Sequence, residues 1–281
     1  MVRHFGCALV FSVLLATAAS AQVVRFETSL GDFDMVLNPT NNPLLQGHVD
    51  NMLQYVEDNR YRSSWINRAD EGFVLQMGGF YSHTKRPPIT IASTRPVAPF
   101  APVLGEPAAT MNGLSNTVGT VSLALPGDGM GGTNQDAGTS SFFVNLTSNT
   151  FLDANFTVFA AIADMTVINQ IMALMQIDRT TDPIFGAGSG NLAFSDVPLL
   201  DDGKQVFINR AFEITDPLSV ARARAGVQSM LGLSSSTTGG GGGGGSSAPL
   251  VSSTVVPEPT SAAMLLTAVA GLPGFARRRR R

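Results

Sequence analysis

Apolar and polar residues alternate in two short segments near the start of the chain. Val23–Thr28 and Asp32–Leu37 both follow a period of two, and the three residues between them end in Gly31. This alternation is typical of half-buried strands, and a short glycine-containing connection joins such strands as an antiparallel hairpin. Five further segments have the length and apolar content of short strands: residues 73–77, 119–123, 141–145, 157–162 and 205–213.

Two other segments have apolar residues at helical spacing. In the first, these positions are Leu45, Val49, Met52, Leu53 and Val56. In the second, they are Met165, Ile168, Ile171, Met172 and Met175. We expect both sets to be core contacts and not part of a cofactor site. Many short strands together with two helices indicate a closed β-barrel that is capped at its ends.

The first 21 residues have the pattern of a secretory signal. They begin with the basic Arg3, continue with an apolar run and end in Ala19-Ser20-Ala21, which predicts cleavage by signal peptidase before Gln22. The apolar run is shorter than the roughly 20 residues that cross a bilayer. Because the only cysteine, Cys7, lies in this segment, the mature chain should have no disulfide and no Cys-based metal or redox chemistry.

The other end of the chain combines a linker with a hydrophobic segment. Residues 234–247 consist of Ser, Thr and Gly only, which is the composition of a flexible linker. Beyond it, Val256-Pro257-Glu258-Pro259 precedes an apolar stretch and five arginines, residues 277–281. This arrangement resembles the PEP-CTERM sorting tail that exosortases of Gram-negative bacteria recognise. The resemblance implies that residues 256–281 hold an exported protein transiently in the inner membrane before they are processed.

Residues 22–216 have the length of one domain that can bury a core without disulfides. Residues 217–255 then form a C-terminal extension that includes the linker. Without Arg3 and residues 256–281, the chain keeps 12 basic and 20 acidic side chains, a charge near −8. Nucleic-acid binding requires a basic domain and is therefore excluded. We expect a monomer that acts in the periplasm, at the cell surface or in the extracellular matrix.

The most specific segment is residues 65–79, in which Arg68, Phe73 and Gln76 stand at offsets of five and three before a pair of glycines. It resembles the active-site strand of the cyclophilins, which are peptidyl-prolyl cis-trans isomerases. Other segments of this family follow the family's order along the chain: residues 24–33, 51–53, 119–124, 140–145 and 151–159. The resemblance covers about residues 23–214. It implies a mainly β fold, a closed eight-stranded antiparallel β-barrel capped by two α-helices.

Transferred position by position, the resemblance implies a catalytic set of Arg68, Phe73, Gln76 and Phe143. It also implies substrate contacts from Asn67, Val74, Ala124, Leu125, Ser141, Phe151, Leu152 and Phe156. In such a site the guanidinium donates a hydrogen bond to the prolyl nitrogen, while an apolar pocket grips the proline ring. This chemistry needs no nucleophile, metal or cofactor. We expect Arg68 to make no core contact, so that its removal leaves the fold intact.

The chain departs from the family pattern at three of these positions. Asn67 stands where the family usually has His, Ser141 where it has Gln, and Phe151 where it frequently has Trp. Two functions therefore stay open. The first is an isomerase that acts on X-Pro bonds of unfolded exported proteins, and Arg68 with its aromatic residues favours it. The second is a catalytically weak binding module for proline-containing segments at the cell surface or matrix, which Ser141 and the sorting tail favour.

Two other patterns do not carry a function. Residues 127–132 match the G-x-G-x-x-G pattern of dinucleotide sites, but a strand and not a helix is predicted to follow, so we expect a mobile loop beside the groove. The mature chain keeps His48 and His83, and neither lies near a Ser or Cys nucleophile motif. The sequence therefore does not favour hydrolase chemistry.

Overall fold

A computed structural model describes residues 21–82, 94–107, 113–127, 132–181 and 192–233. Three α-helices lie within these ranges: α1 (Gln46–Glu57), α2 (Thr166–Met172) and α3 (Pro217–Leu231). The strands in the same ranges are β1 (Val23–Thr28), β2 (Asp32–Leu37), β3 (Ser64–Trp65), β4 (Arg68–Ala69), β5 (Val74–Met77), β6 (Phe80–Ser82), β7 (Thr94–Pro96), β8 (Thr120–Leu123), β9 (Phe142–Asn145), β10 (Val158–Ile162), β11 (Met175–Ile177), β12 (Val197–Leu199) and β13 (Phe207–Glu213). The predicted hairpin is formed by β1 and β2.

The described strands form a closed barrel because one short chain segment belongs to both ends of the main sheet. The strand order is β4-β5-β9-β8-β10-β2-β1-β13-β3-β6-β7. Strands β3 and β4 are separated by only two residues, and Ile66 N donates to Val206 O at 3.0 Å while Asn67 N donates to Gln76 O at 3.1 Å. Strands β3 and β4 can be counted as one strand, and β5 and β6 as another. Strand β7, which pairs with β6, lies outside the ring. Counted in this way, eight strands close into a ring. The predicted eight-stranded antiparallel barrel is confirmed.

Aromatic side chains fill the barrel interior. The ring of Phe26 lies 5.1 Å from that of Phe33, 5.4 Å from that of Phe142 and 5.6 Å from that of Tyr61. Burial raises the pKa of the Tyr61 hydroxyl well above its ordinary value, so this hydroxyl stays neutral and donates to Ser140 O at 3.0 Å. Side chains fill the interior of a small eight-stranded barrel. A substrate must therefore bind on the outer surface.

Gly78 lets the chain turn between β5 and β6 against this aromatic core. Its φ is +80°, a conformation that L-residues rarely adopt. A Cβ atom here would also lie 2.7 Å from Ser140 O and 2.9 Å from a ring carbon of Tyr61. The strand that carries the candidate site therefore needs glycine at this position.

The two predicted helices both contribute to the barrel core. Val49 and Met52 of α1 belong to the same buried cluster as Ile168 and Ile171 of α2. One predicted core contact is wrong, because α2 ends at Met172 and Met175 lies on β11 with 65% of its surface exposed. The helical spacing of apolar residues continued past the point where the helix stops.

The helix α3 was not predicted, and it lies at the start of the segment that we assigned as a C-terminal extension. The Asp216 carboxylate accepts a hydrogen bond from Ser219 N at 2.9 Å and so caps its first turn. Ala223 and Val227 are buried in a cluster with Val23, Val36, Ala161 and Ile214 of the barrel. No helix among the described residues is long and apolar enough to cross a bilayer, and the predicted signal (except Ala21) and sorting segment lie outside those residues.

Close packing at Gly226 makes α3 sensitive to a single methyl group. A Cβ at Gly226 would lie 2.4 Å from Ala163 O, whereas a Cβ at Gly47 in α1 would meet only Val103, at 3.8 Å. Ala favours a helix over Gly by about 1 kcal/mol. We expect Gly47→Ala to be neutral or stabilising and Gly226→Ala to be destabilising, as measured by chemical denaturation. Equal stability of the two variants would contradict tight docking of α3.

Candidate functional site

A row of directly paired residues crosses four strands on the outer face of the barrel. Arg68 of β4 pairs with Gln76 of β5, Gln76 with Phe143 of β9, and Phe143 with Ser122 of β8. Paired residues point to the same face, and successive residues point to opposite faces. Because the Phe142 ring contacts interior aromatic rings, the row that contains Phe143 faces outward. The structure therefore brings Arg68, Gln76 and Phe143 together, as predicted.

Aromatic side chains surround this row. The ring of Phe73 stacks on that of Phe151 at a centroid distance of 6.1 Å, and the ring of Phe143 meets that of Phe156 edge-on at 5.6 Å. Leu152 is buried beside them, whereas Phe151 is 43% exposed and forms the rim. Such a set of aromatic and aliphatic walls suits an apolar ring of the size of pyrrolidine.

Arg68 is fully buried and forms an ion pair with Asp70. Its guanidinium carbon lies 5.4 Å from the centre of the Phe73 ring, which is within the range of a cation–π contact. Our expectation that Arg68 makes no core contact is wrong, because 0% of its side chain is exposed. The ring contact, the ion pair and the closing strand hold this charge inside the protein.

Asp70 is the site residue that sequence reasoning missed. Its carboxylate forms the ion pair with the Arg68 guanidinium and is itself 27% exposed. The spacing of two residues after Arg68 was the available signal, because residues i and i+2 of an extended segment lie on the same face.

Ser141 holds the amide of Gln76. Gln76 Nε2 donates to Ser141 Oγ at 3.3 Å, and Ser141 Oγ donates to Met77 O at 3.4 Å. The serine that replaces the family's glutamine is therefore part of the hydrogen bonding inside the groove. A direct contact between Ser141 and a substrate stays a prediction.

The remaining predicted substrate contacts lie at different depths. Val74 shares the face of Gln76, and Ala124 N donates to Ser141 O at 2.8 Å along the edge of β8. Asn67 and Leu125 point into the protein instead. The Asn67 amide donates to Ala193 O at 2.7 Å, and Leu125 lines a small cavity beside His48. Contacts of these four residues with a substrate stay predictions.

A match between the barrel segment of the chain and a protein-family model identifies the family. A family model described as "Cyclophilin type peptidyl-prolyl cis-trans isomerase/CLD" matches residues 23–185. The chain belongs to this cyclophilin family of isomerases. The match covers β1 to β11 and thus every residue of the row, the aromatic walls and Asp70.

Two bacterial relatives are similar to this cyclophilin over more than half of its length. A peptidyl-prolyl cis-trans isomerase of Acinetobacter baylyi is 29% identical over 177 residues, which cover 61% of this chain and 82% of the relative. The peptidyl-prolyl cis-trans isomerase A of Dickeya dadantii is 33% identical over 143 residues, which cover 51% of this chain and 63% of the relative. A crystal structure of a Cryptosporidium parvum cyclophilin matches 70% of this chain and 99% of its own, with 14% identity and a TM-score of 0.42.

His48 is buried, and its imidazole is neutral at pH 7. It lies on α1, as expected, its ring stacks on Phe159 at 5.9 Å, and burial lowers the pKa of the imidazole to about 4. Its Nδ1 has no hydrogen-bond partner among the described residues and adjoins a cavity of about 10 Å³, the space of roughly one water molecule. Among the residues that the structure describes, the lining of this cavity carries no Asp, Glu, Lys or Arg. His83 and residues 128–131 of the glycine-rich loop lie outside the described residues.

We expect His48 to make the fold sensitive to acid. The unfolded chain binds a proton below pH 6.5, but the folded protein binds it only near pH 4, so the stability present above pH 6.5 is lost as the pH falls through about 4. The loss amounts to roughly 3 kcal/mol, since each pKa unit corresponds to about 1.36 kcal/mol. Denaturant titrations at pH 7 and pH 4 should show a smaller loss for His48→Leu than for the parent. Equal losses in the two proteins would contradict this role, because the carboxylates titrate in both.

Proposed function

We propose that this cyclophilin catalyses cis/trans exchange of X-Pro bonds in exported proteins, with Arg68 assisting rotation in the aromatic pocket. The observation that supports the proposal best is the alignment of Arg68, Gln76 and Phe143 in one row, with the Phe73 ring beside the guanidinium. In this proposal, the Arg68 guanidinium lies at the edge of the apolar pocket. A proline ring bound there would have its amide nitrogen close to the guanidinium.

The barrier to rotation comes from the resonance of the peptide bond. It amounts to about 18–20 kcal/mol, because the nitrogen lone pair is shared with the carbonyl. A hydrogen bond from Arg68 to that nitrogen withdraws the lone pair from resonance, and it is stronger in the twisted state than in either planar state. The aromatic walls hold the ring while the preceding carbonyl turns. Uncatalysed exchange takes about 10–100 s, so a folding protein benefits from the catalyst.

Asp70 contributes by fixing the position of the cation. A guanidinium carries five N–H groups, so it can hold a carboxylate and still donate to a second acceptor. Because Arg68 is already dehydrated and oriented in the folded protein, little reorganisation is required when the substrate nitrogen becomes a better acceptor.

We expect Arg68→Ala to lower kcat about 10- to 150-fold with a small change in KM, since a charge-assisted hydrogen bond of about 1.5–3 kcal/mol is lost from the transition state. The assay is turnover of a peptide with a single Ala-Pro bond by the full-length chain, corrected for the folded fraction. Arg25→Ala is the matched control, because Arg25 forms an ion pair with Asp34 through two hydrogen bonds on the hairpin β1–β2, away from the row. The control should keep the parent's activity.

Two outcomes would contradict the proposal. If Arg68→Ala retains kcat within about twofold of the parent, the guanidinium does not stabilise the twisted peptide bond. If the parent binds the Ala-Pro peptide but does not accelerate its exchange, the protein is the catalytically weak binding module instead. The groove would then serve to hold proline-containing segments.

The ends of the chain support export and sorting. Residues 1–21 have the pattern of a signal-peptidase substrate, and residues 256–281 resemble an exosortase-processed tail. We infer that the cyclophilin acts in the periplasm, at the cell surface or in the matrix, and that residues 256–281 hold it in the inner membrane only until processing. The acidic domain would not be attracted to anionic lipid, so the tail alone would retain it.

We expect the protein to lose its terminal arginines after export from a host that contains an exosortase. Mass spectrometry of the mature C-terminus would show this processing. Replacing Pro257, Glu258 and Pro259 by Ala is the matched control, since it keeps the apolar stretch and the arginines but removes the recognition motif. A parent protein that still ends at Arg281 and stays in the inner membrane would show that the segment is a plain anchor.

A further inference from the structure

Three buried asparagines connect the two sides of the aromatic pocket. Asn116 and Asn145 are 0% exposed and Asn149 is 2% exposed. None of them belongs to the row of Arg68, Gln76 and Phe143. Asn149 directly precedes the segment Thr150–Leu152, and buried amides such as these require internal partners.

Asn116 forms hydrogen bonds with the segment that carries Asp153 and Phe156. Its amide nitrogen donates to Asp153 Oδ1 at 2.8 Å and to the Phe156 carbonyl oxygen at 3.1 Å. Its amide oxygen accepts from Ser122 Oγ at 2.9 Å and from Asn145 Nδ2 at 3.1 Å. Both polar ends of this side chain are therefore used, and one of them holds the backbone of Phe156.

Asn149 forms a hydrogen bond with the opposite wall, which carries Phe73. Its Nδ2 donates to the Phe73 carbonyl oxygen at 3.0 Å and to Asn145 Oδ1 at 2.9 Å. The Asn149 backbone N–H donates to Asn116 O at 2.7 Å. Asn145 completes the connection, because its Nδ2 also donates to Thr120 Oγ1 at 3.0 Å.

We propose that Asn116, Asn145 and Asn149 are positioning residues that fix the distance between Phe73 and the 151–156 segment, and so the width of the proline pocket. This inference rests on the proposed isomerase function. A connected set of satisfied buried amides is rigid, and losing one donor leaves buried acceptors without a partner. The network contacts backbone atoms of the walls and not the reacting bond. It acts on substrate binding in all states alike.

The test is Asn149→Asp in the full-length chain. This substitution keeps the shape of the side chain, but a carboxylate oxygen that accepts hydrogen bonds replaces the Nδ2 group that donates two of them. At pH 7.5 we expect KM for an Ala-Pro tetrapeptide to rise about three- to tenfold with kcat within about twofold of the parent. A carboxyl group surrounded by acceptor oxygens has a raised pKa, so at pH 5.5 its protonated form can donate to the Phe73 carbonyl. The KM of the variant should then return toward the parent's value at the same pH.

Asn38→Asp is the matched control, because the Asn38 amide donates to Asn42 O at 2.9 Å in the turn after β2, and its side-chain hydrogen bonds among the described residues are with Asn42. Its KM should equal the parent's at both pH values. Asp153, the titratable group of the network, is present in all three proteins and so cancels in the comparison. A KM of Asn149→Asp equal to the parent's, or a loss of kcat and thermal stability without recovery at pH 5.5, overturns the positioning role.

If Asn149→Asp does not fold, Ser115→Ala decides the question. Ser115 Oγ donates to Asp153 Oδ2 at the edge of the network, so its loss loosens the network without a new charge. A KM raised about twofold supports the role, and an unchanged KM overturns it. A parent without turnover would instead refute the proposed function. The width of the pocket would then be tested by the affinity of the same peptide in calorimetry.

Discussion

Residues 64–69 pair with strands on both sides, and this pairing closes the barrel. Through β3 the segment pairs with β13, and through β4 it pairs with β5, so it turns an open sheet into a ring. The same segment carries Arg68. Backbone hydrogen bonds on both sides hold this segment in place. The buried Arg68 side chain therefore keeps one position beside Phe73.

The filled interior of the ring explains why the candidate site lies outside it. Phe26, Phe33, Phe142 and Tyr61 occupy the space within the strands, so the alternate residues of β5, β8 and β9 form the groove. These outward positions include amides and hydroxyls that the 145–156 segment covers. Covering them requires hydrogen bonds, and the asparagine network supplies those bonds to the carbonyls of the pocket walls.

Local patterns were sufficient for the hairpin and α1, because each of these elements buries one face at a regular period. The five further strand segments followed from their length and apolar content, whereas the short strands β3, β4, β6, β7, β11 and β12 were missed. The bounds of β1 and β2 agree with the alternation, and the buried residues of α1 agree with the helical spacing. They failed at Met175, since spacing alone does not mark where a helix ends. They failed at α3 because only Ala223 and Val227 of that helix are buried. Its docking depends on Gly226 and on a carbonyl 63 positions earlier in the chain, at Ala163.

The site residues could be named from the family pattern, but their physical state could not. Arg68 looks like a surface charge in the sequence, and its burial follows only from ring closure and from the Phe73 ring. Burial makes the ion pair with Asp70 necessary, because an isolated dehydrated cation is costly. In the proposed mechanism, a cation that is already dehydrated and held in place stabilises the twisted peptide bond. The burial that makes Arg68 costly for folding is therefore the feature on which its proposed catalytic role depends.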